Sequence, residues 1–187
     1  MTFRLPLMIL ALAAPAFATA APATWTVEKA TSSLKFSSSL GGEAFSGVFR
    51  RWGADIRFDP TDLAHSSVSV TVDIASASTA NTDRDQALPN PAFFNAAAFP
   101  KATFVSRSFT AAGPNSYRAA GVLTMRGAAK PLTLPFTLVI TGPVAKMSGQ
   151  VAINRLAFGV GQNEWKATTT LPASVQLMIS LNAKKAK

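Results

Sequence analysis

The chain has 187 residues, no cysteine, one histidine and a formal net charge of +9. Its length is typical of one domain, and without cysteine it has neither a disulfide framework nor the usual ligands of a structural zinc site. No basic stretch carries the regular aromatic residues of a surface that stacks nucleic-acid bases, so we expect no nucleic-acid partner. The positive charge fits a soluble surface, an anionic ligand or peripheral contact with anionic lipid.

Residues 1–20 have the pattern of a secretory signal peptide. Arg4 precedes an apolar run from Leu5 to Ala18, which ends in small residues that suit cleavage. An uncleaved anchor is the alternative, but the run is short for a membrane span. We therefore expect residues 1–20 to direct export and residues 21–187 to form one domain.

Alternation of apolar and polar residues, which is typical of strands, dominates the rest of the chain. Weaker alternation over residues 34–40, 45–49 and 56–58 predicts three strands, and a clear strand follows in which Val68, Val70 and Val72 share one face. Gly, Pro and Asn residues separate the segments at short intervals. Further strands are predicted over residues 103–109, 117–125, 132–140, 147–153 and 175–181.

Eight or nine such strands predict an all-β fold. One apolar face per strand and short connections favour an antiparallel sheet with one buried face. Eight strands can close into a barrel, which removes exposed sheet edges, and a two-sheet sandwich is the alternative. The inward side chains are Val, Leu, Ile and Phe, so a cavity inside the barrel would take an apolar ligand.

Residues 84–104 (RDQALPNPAFFNAAAFPKATF) form an aromatic-rich connector that fits neither a long helix nor a strand. Its three prolines would interrupt a helix, and the adjacent Phe93 and Phe94 would face opposite sides of a sheet. We expect a short helix or two single turns around residues 83–94.

Candidate catalytic and metal-binding residues are few. His65 lies in a polar turn, no Gly-x-Ser-x-Gly motif positions a nucleophile, and the aspartates at 55–62 match no calcium loop. Gly159-x-Gly161 lacks the third glycine of a dinucleotide fingerprint and predicts a bent turn instead. We expect His65 on the surface, no metal, no cofactor and no enzymatic activity; a hydrolase of lipid-like esters is the enzymatic alternative.

Five segments, taken in order, resemble the YceI-like, polyisoprenoid-binding proteins of the bacterial periplasm. They are WTVEKATSSLKFS, FSGVF, NTDRDQALPNPAFFNAAAFPKATF, GVLTMRGAAKPLTLPF and INRLAFGVGQNEW, and they extend over nearly the whole mature chain. Ala87 and Asn95 depart from the commoner histidine and aspartate. The RDQAL and FGVGQNEW forms resemble a sub-branch found near or fused to cytochrome b561-type membrane proteins.

The resemblance implies an extended lipocalin-like barrel of eight antiparallel strands, with a short helical connector, around a long apolar channel. The implied ligand is an isoprenoid, a quinone or a similar amphiphile, and the implied location is the periplasm. The connector would cover one end of the channel. The apolar side chains that we predict to contact the ligand are Phe45, Phe49, Val70, Val72, Phe93, Phe94, Phe99, Phe104, Leu123, Phe136, Leu138, Val151, Phe158 and Trp165.

Three charged residues are candidates for the lid or for contact with a headgroup. Arg84 and Asp85 either brace the connector or meet the headgroup, and Arg155, at a strand end, has the same two alternatives. The connector phenylalanines either cover the channel or only fill the core.

The sequence therefore predicts a non-enzymatic periplasmic carrier that holds a long apolar chain away from water, at about 0.8 kcal/mol per buried CH₂. The alternative is an accessory subunit that docks on a membrane cytochrome b561-type or quinone-linked protein without obligatory lipid. Both leave open a peripheral membrane contact and a homodimer.

Overall fold

The computed structural model describes residues 21–186, so the predicted signal segment 1–20 lies outside the described residues. The described chain consists mainly of strands, and none of its helices is long and apolar enough to cross a bilayer. The strands are β1 (Thr24–Val27), β2 (Ser33–Leu40), β3 (Glu43–Phe49), β4 (Trp52–Arg57), β5 (Ser67–Asp73), β6 (Ala77–Ser78), β7 (Lys101–Gly113), β8 (Ser116–Met125), β9 (Ala128–Thr141), β10 (Val144–Asn154) and β11 (Ser174–Lys185), and helix α1 (Thr82–Ala87) precedes β7.

These segments build eight antiparallel barrel strands, because three of the eight are each made of two segments. β1 and β2 lie end to end beside β11, β3 and β4 continue one another, and β5 and β6 are separated by a 3₁₀ turn at Ile74–Ser76. Each strand pairs with its neighbour in the chain, and the ring closes where β11 pairs with β1. The predicted eight-stranded barrel is confirmed, and the sandwich alternative is wrong.

The alternation in β9 shows how the sequence sets the two faces of the wall. Phe136 and Leu138 are buried inside the barrel, whereas Thr137 between them is exposed. Ile140 has the same parity as Leu138 but is 36% exposed, because it lies one residue from the end of the strand.

The barrel interior holds two clusters of aromatic and aliphatic side chains. In one, the ring of Phe58 lies edge-on to Phe109, with 5.3 Å between ring centres. In the other, Phe49 packs between Phe36 and Phe94, at 5.2 and 6.2 Å. Edge-on and tilted contacts of this kind stabilise a core beyond the area that they bury.

The connector contains the predicted short helix. The Asn81 side chain caps α1 by accepting a hydrogen bond from the Arg84 amide at 3.0 Å. The helix ends at Ala87, just before Pro89, and the chain then runs through successive turns to β7. The helix cap and the proline together set the length of the helix.

Candidate functional site

A first cavity, the barrel cavity, lies between the inward faces of the strands and has a volume of about 170 Å³. Thr103 is the one hydroxyl-bearing side chain in a wall that is otherwise aliphatic and aromatic. Strand alternation explains this composition, because every second residue of each strand points inward. The predicted ligand contacts that line the barrel cavity are Val70, Val72, Phe104, Leu123, Phe136, Leu138 and Val151.

A second cavity, the lid cavity, has a volume of about 320 Å³ and lies under the connector. Leu177 of β11 lines both cavities, so the two meet at this side chain. The predicted residues that line the lid cavity are Phe45, Phe49, Arg84, Phe93, Phe94, Arg155 and Trp165.

Three predicted site residues lie outside the walls of both cavities. Phe99 packs under the turn between β8 and β9, where a Cβ on Gly127 would lie 2.9 Å from its ring. Phe158 is buried in the core, and Asp85 is bonded to the end of β6. Ligand contact by the whole predicted set stays a prediction.

Asp85 and Arg84 brace α1 against the chain after β6. The Asp85 carboxylate accepts hydrogen bonds from the Thr79 amide at 2.6 Å, the Thr79 hydroxyl at 2.7 Å and the Ser78 hydroxyl at 2.9 Å. Burial alone would raise the pKa of Asp85, but these donors and the Arg84 charge together lower the pKa below its usual value. Arg84 donates to the Thr79 hydroxyl and lies 4.9 Å from the ring centre of Phe45.

Arg155 is a buried cation that forms no ion pair with a carboxylate of residues 21–186. It is 3% exposed, and its guanidinium donates to the carbonyls of Val160, Leu171 and Pro172 at 2.7–2.9 Å. Burial lowers the pKa of Arg155. The three bonds use three of its five N–H groups, which leaves two donors on a side chain that lines the lid cavity.

Two arginine side chains pack against the Gly159-x-Gly161 turn. Both glycines are left-handed, with φ of 68° and 86°. A Cβ on Gly161 would overlap Nη1 of Arg155, and a Cβ on Gly159 would lie 2.8 Å from Nη1 of Arg126. Sequence reasoning predicted the turn but missed Arg126, whose partners come from distant parts of the chain.

The connector and the turn after β10 are joined above the lid cavity. The Ala92 carbonyl accepts a hydrogen bond from the Gly161 amide at 2.9 Å, and the rings of Phe93 and Trp165 lie 5.3 Å apart. Phe94 packs in the core cluster, and Phe93 packs against the same cluster. The two adjacent phenylalanines thus both line the lid cavity, whereas strand spacing would point them to opposite faces.

The lid cavity also holds polar groups that the barrel cavity lacks. Besides the arginines, its wall includes Ser38, Thr79 and Asp83. The Ser38 hydroxyl oxygen is buried and has no hydrogen-bond partner within residues 21–186. The wall of the lid cavity is otherwise apolar, so these few groups are the polar contacts that it offers to the polar end of an amphiphile.

His65 lies outside both cavity walls, on the surface. Its Nδ1 is 2.8 Å from the Asp62 carboxylate, and its side chain is 69% exposed. The predicted surface position is therefore confirmed. The described part of the chain contains no group of three or more His, Asp or Glu side chains placed to hold a metal ion.

The model of the YceI-like domain family matches residues 25–183. The chain belongs to the YceI-like family. Protein YceI of Salmonella arizonae is 32% identical over 154 residues, which cover 79% of this chain and 78% of that protein. BcnA of Burkholderia cenocepacia has a similar crystal structure, with a TM-score of 0.82, 33% identity, and coverage of 85% of this chain and 100% of BcnA.

A polyisoprenoid binding domain from Saccharophagus degradans, implicated in plant cell wall breakdown, shares the fold with a TM-score of 0.69. It is 12% identical and matches over 88% of this chain and 99% of its own. In the present YceI-like barrel, each of the five segments that carry the family resemblance contributes to the lid cavity. The residues that they contribute include Phe36, Phe45, Phe93, Met125 and Arg155.

Proposed function

We propose that the protein is a non-enzymatic carrier of an isoprenoid-like or other long-chain amphiphilic lipid in the periplasm. The observation that carries the proposal is the pair of mainly apolar cavities that share Leu177 in their walls. A long chain gains about 0.8 kcal/mol for each CH₂ that it buries, so an extended apolar path suits it. The polyisoprenoid binding of a protein with the same fold supports this ligand class.

In this proposal the ligand has a defined direction. The apolar chain occupies the barrel cavity and passes Leu177, and the polar end stays in the lid cavity. There the buried Ser38 hydroxyl and the two remaining N–H groups of Arg155 offer hydrogen bonds. A quinone carbonyl or a phosphate oxygen has the acceptor character that these donors require.

The direct test is the chemical identity of what the protein retains. Protein purified without detergent should carry one prenyl-type lipid in stoichiometric amount, measured by organic extraction and mass spectrometry. Only trace, mixed fatty acids would contradict a specific carrier. The same preparations should lack bound transition metal and esterase turnover on lipid-like esters.

A variant at the junction makes this test specific to the cavities. Leu177→Trp places a larger ring where the two cavities meet, so the retained lipid should fall in amount or in chain length. Met178→Trp adds the same ring to the adjacent residue of β11, whose strand neighbours Lys35 and Gln150 are exposed. Equal lipid recovery from both variants would place the ligand elsewhere.

Docking on a cytochrome b561-type protein stays a prediction, as does a homodimer. The RDQAL and FGVGQNEW forms on which the cytochrome prediction rests supply internal contacts here. Asp85 binds the chain after β6, and Gly161 seats Arg155. These contacts give both motifs a role within the fold and favour the carrier.

A further inference from the structure

The charges of this protein are divided unequally along the chain. Residues 21–85 carry eight carboxylates and six basic side chains, whereas residues 86–186 carry ten basic side chains and the single carboxylate of Glu164. Because each strand pairs with its neighbour in the chain, this division becomes a division of the barrel surface. Strong charge asymmetry between two halves of a sequence is typical of proteins that meet a charged surface.

Five consecutive strands, β7 to β11, form a wall without any Asp or Glu. Arg107, Arg118, Lys130 and Lys146 are exposed on four of them. Within residues 21–186 none of these four forms an ion pair, whereas on the other half of the barrel Arg51 is 2.8 Å from the Asp73 carboxylate. These four charges of the acid-free wall are therefore available to an external anion, whereas Lys184 of β11 is paired with Glu28.

The same wall exposes apolar side chains between its charges. Val105 and Val139 are 48% and 50% exposed, and both lie on its outer face. Val105 lies directly opposite Val122, which in turn lies opposite Pro131. Exposed apolar groups among unpaired basic side chains suit the headgroup region of a bilayer, where both kinds of group find partners.

The wall also contains an unpaired seam. β9 and β10 are paired from Thr141 opposite Val144 to Phe136 opposite Gly149. The pairing ends there, next to Pro135 of β9. Proline lacks the N–H that a ladder needs. Beyond that point Leu134 of β9 and Val151 of β10 line the barrel cavity.

We propose that the part of the acid-free wall formed by β7 to β10, which carries Arg107, Arg118, Lys130 and Lys146, docks on the surface of an anionic phospholipid bilayer. Lys and Arg near such a surface each contribute about fivefold to binding, equivalent to about 1 kcal/mol. Salt weakens the attraction because it screens exposed charges. The proposal goes beyond the proposed function and does not depend on the identity of the cargo.

The experiment is sedimentation of delipidated protein with phosphatidylcholine vesicles, with and without phosphatidylglycerol. The protein should bind only the anionic vesicles, and binding should weaken as salt is raised. Arg107→Gln with Arg118→Gln should weaken binding about 25-fold, at about fivefold per charge. The matched control is Lys35→Gln with Arg57→Gln, which removes the same charge from β2 and β4 and should change binding less than about twofold.

Equal loss in the two double variants would overturn the proposal, since net charge alone would then explain binding. Equal binding to neutral and anionic vesicles, or none to either, would also overturn it, and the last result would leave an acidic protein as the partner of this wall. Thermal unfolding of each variant checks that it is folded. Cargo lipid recovered from the same variants is measured separately, so failure of docking and failure of the carrier function are distinguishable.

Discussion

The two cavities of this barrel are built in different ways. The barrel cavity is enclosed by strand residues such as Val70 and Leu138, whose direction follows from alternation alone. The lid cavity is enclosed partly by loops, which are held by Arg155, by the Gly161 turn and by the Asp85 carboxylate. Truncation of one strand side chain should therefore have a local effect on stability. Loss of one polar contact in the lid should weaken several other lid contacts as well.

The difference also separates two tasks. A cavity with nearly no polar groups can hold any apolar chain of suitable length, so it gives affinity without much selectivity. Fixed donors discriminate, because a ligand that fails to meet them leaves buried polar groups unpaired. We infer that affinity comes from the barrel cavity and selectivity from the lid cavity. If this contrast holds, substitutions in the lid should destabilise the protein more than substitutions that point into the barrel cavity.

Arg155→Met should cause the largest loss of stability. The change leaves the carbonyls of Val160, Leu171 and Pro172 without their donor. At about 1 kcal/mol or more for each buried acceptor, the free energy of unfolding should fall by about 3 kcal/mol or more. This corresponds to a fall in Tm of roughly 6–12 °C for a domain of this size. A calorimetric Tm within a degree of wild type would show that Arg155 does not hold the lid.

Gly161→Ala should cost about 2 kcal/mol, because a Cβ is strained at φ 86° and overlaps the Arg155 guanidinium. Gly142→Ala is the matched control, since its φ is 57° and no atom lies within 4 Å of the new Cβ. Urea unfolding of the two variants should show a larger loss of stability for Gly161→Ala than for Gly142→Ala. In the Arg155→Met background, Gly161→Ala should lower the free energy of unfolding by less. Strictly additive losses would contradict the contact between Gly161 and the Arg155 guanidinium.

Sequence reasoning predicted the strands and the barrel cavity well, for a physical reason. The faces of β5 and β9 follow from a period of two, so Val70 and Leu138 could be placed before the fold was known. Alternation fails at Ile140, where the strand is about to end, and in β7, where a bulge at Ser106 to Ser108 lets Phe104 and Phe109 both line the cavity. Periodicity does not describe strand ends.

The lid was predicted less completely, because its contacts join residues that are far apart in the sequence. The prolines and phenylalanines of the connector indicated a covering segment, and Phe93 and Phe94 do line the lid cavity. Nothing in the sequence around Arg126 indicated that it would pack over Gly159 and donate to the Pro91 carbonyl. Nor did spacing indicate that Phe99 would pack under Gly127.

Asp85→Asn should lower the free energy of unfolding by a smaller amount, and only at pH values where Asp85 is ionised. The folded-state pKa of Asp85 is lowered, so its ionised form stabilises the protein above the unfolded pKa of about 3.9, and this stability is lost as the pH falls through the folded pKa. At pH 7 the variant should lose about 1 kcal/mol, and its stability should change less between pH 5 and about pH 3. Asp83→Asn, an exposed neighbour in α1, is the control. Identical pH profiles for all three proteins would exclude Asp85 as a brace.

Val70→Phe should have the smallest effect on stability, because the added ring enters the barrel cavity. Overpacking of a filled core costs about 1–3 kcal/mol, and we expect a loss below that range in delipidated protein. Lipid recovery should nevertheless fall sharply, because the ring occupies the space of the apolar chain. Val105→Phe on the neighbouring strand β7, where Val105 is 48% exposed, should leave both quantities unchanged.

The comparison requires delipidated samples, because bound lipid stabilises the folded state by mass action. A large loss of stability at Val70 with unchanged lipid would mean that this side of the barrel is packed. Leu138→Phe and Val151→Phe reach the same cavity from β9 and β10. If they gave the same result, the barrel interior would be filled and the chain would have to bind in the lid cavity alone. Affinity and selectivity would then belong to one cavity, and the contrast between the two would fail.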